Sequence, residues 1–396
     1  MMSLTGMPDY DAGTLQRLHA QDREIAAVFA RHGYGFVEPP ILEPAEIFLE
    51  QSGEEIRRRI YVFNDPAGNE LCLRPDLTIP TCRMYLRQNP NAGEDAARLC
   101  YNGPAFRFQP PGRDRPCQFL QAGVECLGDT DLPGADAEVL AVTVEALQQA
   151  GLMRFDVQVG DLGLFFALLD RLALPPRWRD RLKHQFWRPD ELRGLLARLA
   201  DGNGETTPAR RAAFLEAIGS LDETKARLAL EEVLSMSGIM AAGGRESSEI
   251  AERFLDQAAN TQAQGLSKEI ADLIDAFLRI AGTPQHALAE INALTSSAGI
   301  DLSEARAQFE KRLDLMHKRG LTPDKFQYVA QFGRTLEYYT GFVFDLRAPD
   351  MGEHGQIAGG GRYDALLRRL GAPHDIPAIG SAIRTEWLLA ACEAKK

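Results

Sequence analysis

The chain is 396 residues long, 45% hydrophobic and 25% charged, the balance of a globular protein able to bury one large core or two moderate ones. Its formal net charge of −12 repels polyanions on average, which excludes nucleic acid as a default partner unless a local basic patch overrides the background. Residues 1–11 show no basic stretch followed by an apolar run, and no run of about 18 apolar residues occurs, so no signal peptide or membrane span is predicted and the expected location is the cytoplasm.

Leu15, Leu18, Ile25, Val28 and Phe29 recur at helical spacing and predict a helix that stops at Gly33, a residue suited to the left-handed C-terminal cap. A short extended segment, 35–40, is closed by Pro39 and Pro40. Residues 61–63 and 71–73 flank the turn chemistry of 64–69 and predict a β-hairpin. Two more strands are expected over 98–108 and 117–127, around a loop rich in Pro, Gly and Arg. A helix over 136–150 ends at Gly151, and 155–159 returns to strand. From 162 to 318 the pattern is almost wholly helical, with 201–207 as its most linker-like break; strand chemistry resumes at 328–347. Sheet, helical block and sheet again predict an α+β core, residues 1–174 and 319–396, interrupted by a helical insertion, 175–318. The six cysteines show neither CxxC nor zinc spacing and read as reduced thiols, so no metal is expected.

Three stretches carry chemistry. Within 98–126 a strand period of two sets Gln121, Gly123 and Glu125 on one face, and Leu120, Ala122 and Val124 on the other. Burying Gln121 and Glu125 beside Arg107 of the partner strand is costly unless each is paired. That face suits a polar ligand with both an amine and a carboxylate; a solvated outer face is the alternative, and this stretch alone leaves both open. In 334–345, Arg334 leads through Tyr338 and Tyr339 into a strand. This is either a bidentate carboxylate or phosphate clamp walled by tyrosines, or an edge strand with core aromatics. Gly359, Gly360 and Gly361 read as a tight turn at a strand-to-helix junction, or as amides aimed at an anion; they match neither GxxxxGK[ST] nor GxGxxG. HExxH and GxSxG are absent, and the seven histidines are scattered.

In order and spacing these stretches resemble histidyl-tRNA synthetase, a class II aminoacyl-tRNA synthetase. Residues 33–43 resemble the first class II motif, which makes the dimer interface. Leu73-Arg74-Pro75-Asp76-Leu77-Thr78 resembles the family's LRPEGT, whose acidic residue holds the amino group of histidine. Residues 98–126 resemble the second motif, 334–339 the RGLDYY signature and 360–366 the GGRYDGL signature, while 377–388 sits where the third motif belongs. The resemblance spans about 15–390 apart from the helical block. It implies a class II antiparallel sheet flanked by helices, with a helical insertion, and a homodimer. It also implies a histidine-binding set of Asp76, Leu77, Thr78, Arg107, Gln121, Glu125, Arg334, Tyr338 and Tyr339.

The departures bear on activity. The family's third motif reads GxERL and its arginine contacts ATP; here Trp387 takes the arginine's place and Arg384 that of the glycine. In the second motif Gln109 replaces a glutamate. An indole does not neutralise a triphosphate, so the resemblance implies that adenylation is lost or crippled. Asp76 is one methylene shorter than the family's glutamate, and Leu77 replaces a glycine. Arg334 matches an arginine that synthetases use in activation, which a carboxylate-binding role here would explain. Nine residues follow Trp387, where synthetases continue into an anticodon-binding domain, so that domain and tRNA are expected to be absent. This combination resembles the regulatory subunits of ATP phosphoribosyltransferase, the enzyme that joins ATP to phosphoribosyl pyrophosphate in the first step of histidine biosynthesis. It implies a non-catalytic chain without a cofactor, assembled with short-form catalytic subunits into a hetero-octamer and taking L-histidine as its ligand. The rival expectations are a short synthetase-like enzyme that activates an amino acid for a non-tRNA acceptor, and an RNA-binding module.

Overall fold

The computed structural model describes residues 6–49, 57–89, 91–93, 95–110, 115–200, 228, 266–332 and 338–394. The linker-like break at 201–207 and Arg334 lie outside the described residues. The chain divides into two compact units, one of Met1–Trp187 with Phe277–Lys396, the other of Arg188–Ala276. In the second unit the helix Pro189–Ala200 buries Leu192, Leu195, Leu196 and Leu199, an apolar stripe at helical spacing. The helices Pro284–Ser297 and Ser303–Lys318 belong to the first unit.

The strands among the described residues are β1 (Gly35–Phe36), β2 (Leu42–Pro44), β3 (Tyr61–Asn64), β4 (Glu70–Leu73), β5 (Ala97–Phe106), β6 (Gln118–Leu127), β7 (Asp156–Asp161), β8 (Ala281–Gly282), β9 (Gln327–Val329), β10 (Phe342–Arg347), β11 (Gln356–Arg362) and β12 (Ala378–Arg384). Nine form one sheet in the order β1-β5-β6-β12-β11-β10-β7-β9-β8, and the other three form a small sheet, β2-β4-β3. The large sheet is antiparallel except where the short β1 and β9 pair in parallel with β5 and β7. Helices flank it, giving the α+β class II arrangement.

Local chemistry accounts for these elements. The helix Ala12–Arg31 starts at Asp11, whose carboxylate accepts from the Thr14 amide at 2.7 Å, and the chain leaves it at Gly33 with φ of 77°. The β3–β4 hairpin turns on Asp65, whose side chain accepts from the amides of Ala67 and Asn69, both at 2.8 Å, and on Gly68 with φ of 88°. The helix Leu132–Gln149 is apolar on almost every side, and its Thr143 hydroxyl meets the Ser381 hydroxyl of β12 at 2.6 Å.

The glycine run departs from the expected turn. Gly359, Gly360 and Gly361 lie inside β11, between β10 and β12. A Cβ at Gly361 would stand 2.7 Å from the Phe342 carbonyl oxygen and 2.9 Å from the Tyr339 ring, and one at Gly360 would overlap the Gly380 carbonyl. Close approach of the neighbouring strands, rather than chain reversal, explains these glycines.

A buried ion-pair network ties the sheet to its helices. Arg312 on Ser303–Lys318 bonds Asp136 and Asp161, each at 2.7 Å, and Arg362 at the end of β11 bonds Asp136 at 2.6 Å and Asp364 at 2.9 Å. Among the described residues no helix is long and apolar enough to cross a membrane, and all six cysteines are free thiols.

Candidate functional site

The sheet's pleat builds the site. Tyr101 on β5, Gly123 on β6, Ala382 on β12, Gly359 on β11 and Asp345 on β10 stand directly opposite one another in one row across five strands. The adjacent row carries Glu125, Gly380 and Gly361, and a third pairs Gln121 with Arg384. Because side chains alternate faces, these residues share one side of the sheet. There Gln121, Asp345, Gly359, Gly380, Ala382 and Arg384 border a cavity of about 240 Å³, also lined by Asp76, Thr78, Arg107, Tyr338, Tyr339 and Tyr363. Small residues in the central rows keep the floor low, so the functional groups stand around it.

Asp76 sits in the tight connection between β4 and the helix Thr78–Gln88. Its Oδ1 accepts the Ile79 amide at 3.1 Å, while Oδ2 is buried with no hydrogen-bond partner among the described residues. Burial raises its pKa above the usual carboxylate range, partly opposed by the charge of Arg107. Arg107 donates to the Pro75 carbonyl at 2.7 Å and lies over the Phe119 ring, 5.4 Å from its centroid. Those contacts hold the guanidinium beside the acid.

Glu125 is 0% exposed, so the alternative of a solvated outer face is excluded. It accepts the Tyr101 hydroxyl at 2.9 Å and the Tyr363 hydroxyl on its other oxygen. Burial pushes its pKa up to about 7 against those hydrogen bonds. Tyr101 is the hub, since Gln121 donates to its hydroxyl at 3.2 Å and Thr78 meets it at 3.3 Å. Tyr338 and Tyr339 are buried, with ring centroids 4.8 Å apart, and both contact the Tyr363 ring. They precede β10, an internal strand rather than an edge.

The structure thus gathers Asp76, Thr78, Arg107, Gln121, Tyr338 and Tyr339 on one cavity, with Glu125 bonded to its wall. Leu77 packs instead with Tyr101, Ala105 and Phe119 in the apolar layer beneath. The sequence reading missed Tyr101 and Tyr363 as the hydroxyls on Glu125; period two does place Tyr101 opposite Gly123 once the strand pairing is known. It also missed Arg59 and Arg115, which line the cavity. Arg59 donates to Gln109 at 2.6 Å and to the Phe108 carbonyl at 3.0 Å. Arg384 lies 4.4 Å from the ring centroids of both Phe119 and Trp387, a cation–π stack at the rim. Glu386 caps β6, accepting the Leu120 amide at 2.9 Å and the Tyr10 hydroxyl at 2.6 Å.

This arrangement can hold a zwitterion. An unpartnered buried carboxylate oxygen takes an ammonium, the guanidinium beside it takes a carboxylate, and tyrosines wall a planar side chain. The floor is sensitive to volume, because a Cβ at Gly380 would overlap the Glu125 carboxylate. Gly380→Ala is expected to displace Glu125, cost about 1–3 kcal/mol of stability and abolish ligand binding. Urea denaturation and calorimetric titration measure both effects.

Comparison with known proteins bears on the fold and the family. The family model described as histidyl-tRNA synthetase matches residues 6–259 and 249–388. The ATP phosphoribosyltransferase regulatory subunit of Brucella anthropi is 35% identical over 353 residues, covering 89% of this chain and 91% of its own. That of Rhizobium meliloti is 35% identical over 378 residues, covering 94% and 97%. Among solved structures, an ATP phosphoribosyltransferase regulatory subunit/histidyl-tRNA synthetase from Bacillus halodurans superposes with a TM-score of 0.68 at 23% identity, covering 99% of this chain and 83% of that one. Histidyl-tRNA synthetase from Nostoc sp. gives 0.63 at 16% identity, covering 100% and 75%. The two structures speak for the fold, and the curated relatives for the family: the chain belongs to the ATP phosphoribosyltransferase regulatory subunits, built on the histidyl-tRNA synthetase fold.

Proposed function

We propose that this chain is a non-catalytic subunit which a short-form ATP phosphoribosyltransferase requires for activity, and through which L-histidine inhibits that enzyme. The observation that carries the ligand assignment is the buried Asp76 Oδ2, unpartnered among the described residues, on the same cavity as Arg107. An uncompensated buried carboxylate oxygen costs free energy, and a ligand ammonium would relieve it. Arg107 then takes the ligand carboxylate. The imidazole of histidine is assigned to the side of Tyr338, Tyr339 and Glu125, and the family resemblance alone assigns Arg334 to the carboxylate. Histidine inhibits by binding one arrangement of the assembly more tightly than another, shifting it toward the less active state. The assembly is a hetero-octamer built from homodimers of this chain, working in the cytoplasm without tRNA.

Mixing the purified chain with a short-form catalytic subunit tests this directly. A stable complex with phosphoribosyltransferase activity that falls on adding L-histidine is expected; two proteins that elute separately and show no mutual activation would defeat the proposal. One observation favours a second reading, amino-acid activation by a synthetase-like enzyme: Arg59, Arg107, Arg115 and Arg384 all line the cavity, a positive excess in a chain of net charge −12. Histidine-dependent ATP–pyrophosphate exchange separates the two, and no exchange above background is expected.

A further inference from the structure

Tyr339 borders the cavity, and its ring is packed by the site itself. Tyr338 lies 4.8 Å from it and Tyr363 6.4 Å, centroid to centroid, and β11 passes so close that a Cβ at Gly361 would stand 2.9 Å from it. A further ring reaches it from the helical block: Trp187, centred 6.4 Å away and outside the cavity's lining. These separations fall within the range of interacting aromatic pairs. From Trp187 the contacts continue to Phe186 at 5.6 Å, from Phe186 to Phe165 at 5.1 Å and from Phe165 to Phe277 at 6.0 Å. Trp187 and Phe277 are also the residues at which the chain leaves the first compact unit and returns to it. Tyr338, Tyr363, Phe186, Phe165 and Phe277 are buried, whereas Trp187 is half-buried. The helix that leads into it, Pro176–Gln185, carries three buried polar atoms with no hydrogen-bond partner among the described residues: Trp178 Nε1, Arg179 Nε and Gln185 Oε1. Unmet groups of this kind cost free energy where they stand and leave the segment something to gain by shifting.

Resting on the amino-acid reading above, we infer that Trp187 is a positioning residue for the cavity, and that ligand occupancy is read in its packing. Tyr338 and the β11 backbone hold Tyr339 from within the site. Trp187 supports the same ring from a segment remote in sequence from both. A planar side chain set against Tyr339 adds a contact at one end of the aromatic row and restricts the ring on which Trp187 rests. The linkage is reciprocal: whatever firms the Trp187–Tyr339 contact favours the ligand, and the ligand firms that contact to the same degree. Because Arg188 follows Trp187 directly, the effect is delivered to the chain where the second compact unit begins.

Hydrogen exchange on the intact chain tests this without any substitution. Saturating L-histidine is expected to slow exchange at the amides of 186–188 by about threefold or more. Unchanged rates there, with L-histidine bound, would overturn the inference. Calorimetric titration of two variants gives a second reading. Trp187→Leu, which removes the ring, is expected to bind L-histidine about tenfold more weakly, the scale of one aromatic pair. Trp187→Phe, which keeps a ring, is expected to stay within about threefold of the unsubstituted chain. Two variants that lose affinity equally, or a Trp187→Leu that loses none, would show that the ring contact does not position Tyr339. Should Trp187→Leu fail to fold, the exchange rates decide alone. Absence of L-histidine binding to the unsubstituted chain would instead overturn the amino-acid reading, and this inference with it.

Discussion

Asp76→Ala is expected to weaken L-histidine binding by about two orders of magnitude while changing stability little. Its Oδ2 is buried without a partner among the described residues, whereas its Oδ1 accepts the Ile79 amide at 3.1 Å. Removing the carboxylate therefore relieves the penalty on one oxygen and breaks one bond on the other, two effects of opposite sign. In the ligated protein Oδ2 faces an ammonium, and truncating one partner of a buried charged pair costs about 2–5 kcal/mol. At about 3 kcal/mol the dissociation constant rises roughly 150-fold. Calorimetric titration and urea denaturation on one preparation read both quantities. Binding within threefold of the unsubstituted chain would show that the ammonium sits elsewhere. A large loss of stability would show instead that Asp76 is structural.

Arg312→Met tests the opposite situation, a buried charge fully used. Its guanidinium bonds Asp136 and Asp161 at 2.7 Å each, with 7% of the side chain exposed. Methionine keeps much of the volume but leaves Asp161 without that partner; Asp136 retains Arg362. Breaking a buried pair on one side costs about 3–5 kcal/mol, and a fall of that size in unfolding free energy is expected from urea denaturation. Adding Asp161→Asn to Arg312→Met removes the stranded charge and should recover part of the loss. If the double substitution is no more stable than the single, uncompensated charge is not the cause.

What the sequence disclosed tracks how local each signal is. The β3–β4 hairpin was legible because Asp65 and Gly68 make the turn by themselves. The polar face of β6 was legible because alternation needs no partner. Whether that face met water depended on β12 and the Asp76 connection, each remote in sequence, so Glu125 stayed ambiguous until the strands were paired. The glycine run misled for the same reason. Its constraint comes from Phe342, Tyr339 and Gly380 on neighbouring segments, and nothing within 359–361 distinguishes a crowded strand from a tight turn. The family resemblance supplied the order of the motifs and six of the residues that line the cavity, Asp76, Thr78, Arg107, Gln121, Tyr338 and Tyr339. It did not reveal that Arg384 would stack between Phe119 and Trp387.

The pairing of β6 with β12 has a consequence for synthesis. Gly380 lies opposite Glu125, so one wall of the pocket is encoded some 255 positions after the other. Until the residues of β12 clear the ribosome, the nascent β6 carries a row of unmatched peptide groups beside a half-assembled polar floor. Such an edge invites pairing with another chain. Closure of the pocket floor, together with protection of that strand edge, therefore waits until β12 has been made.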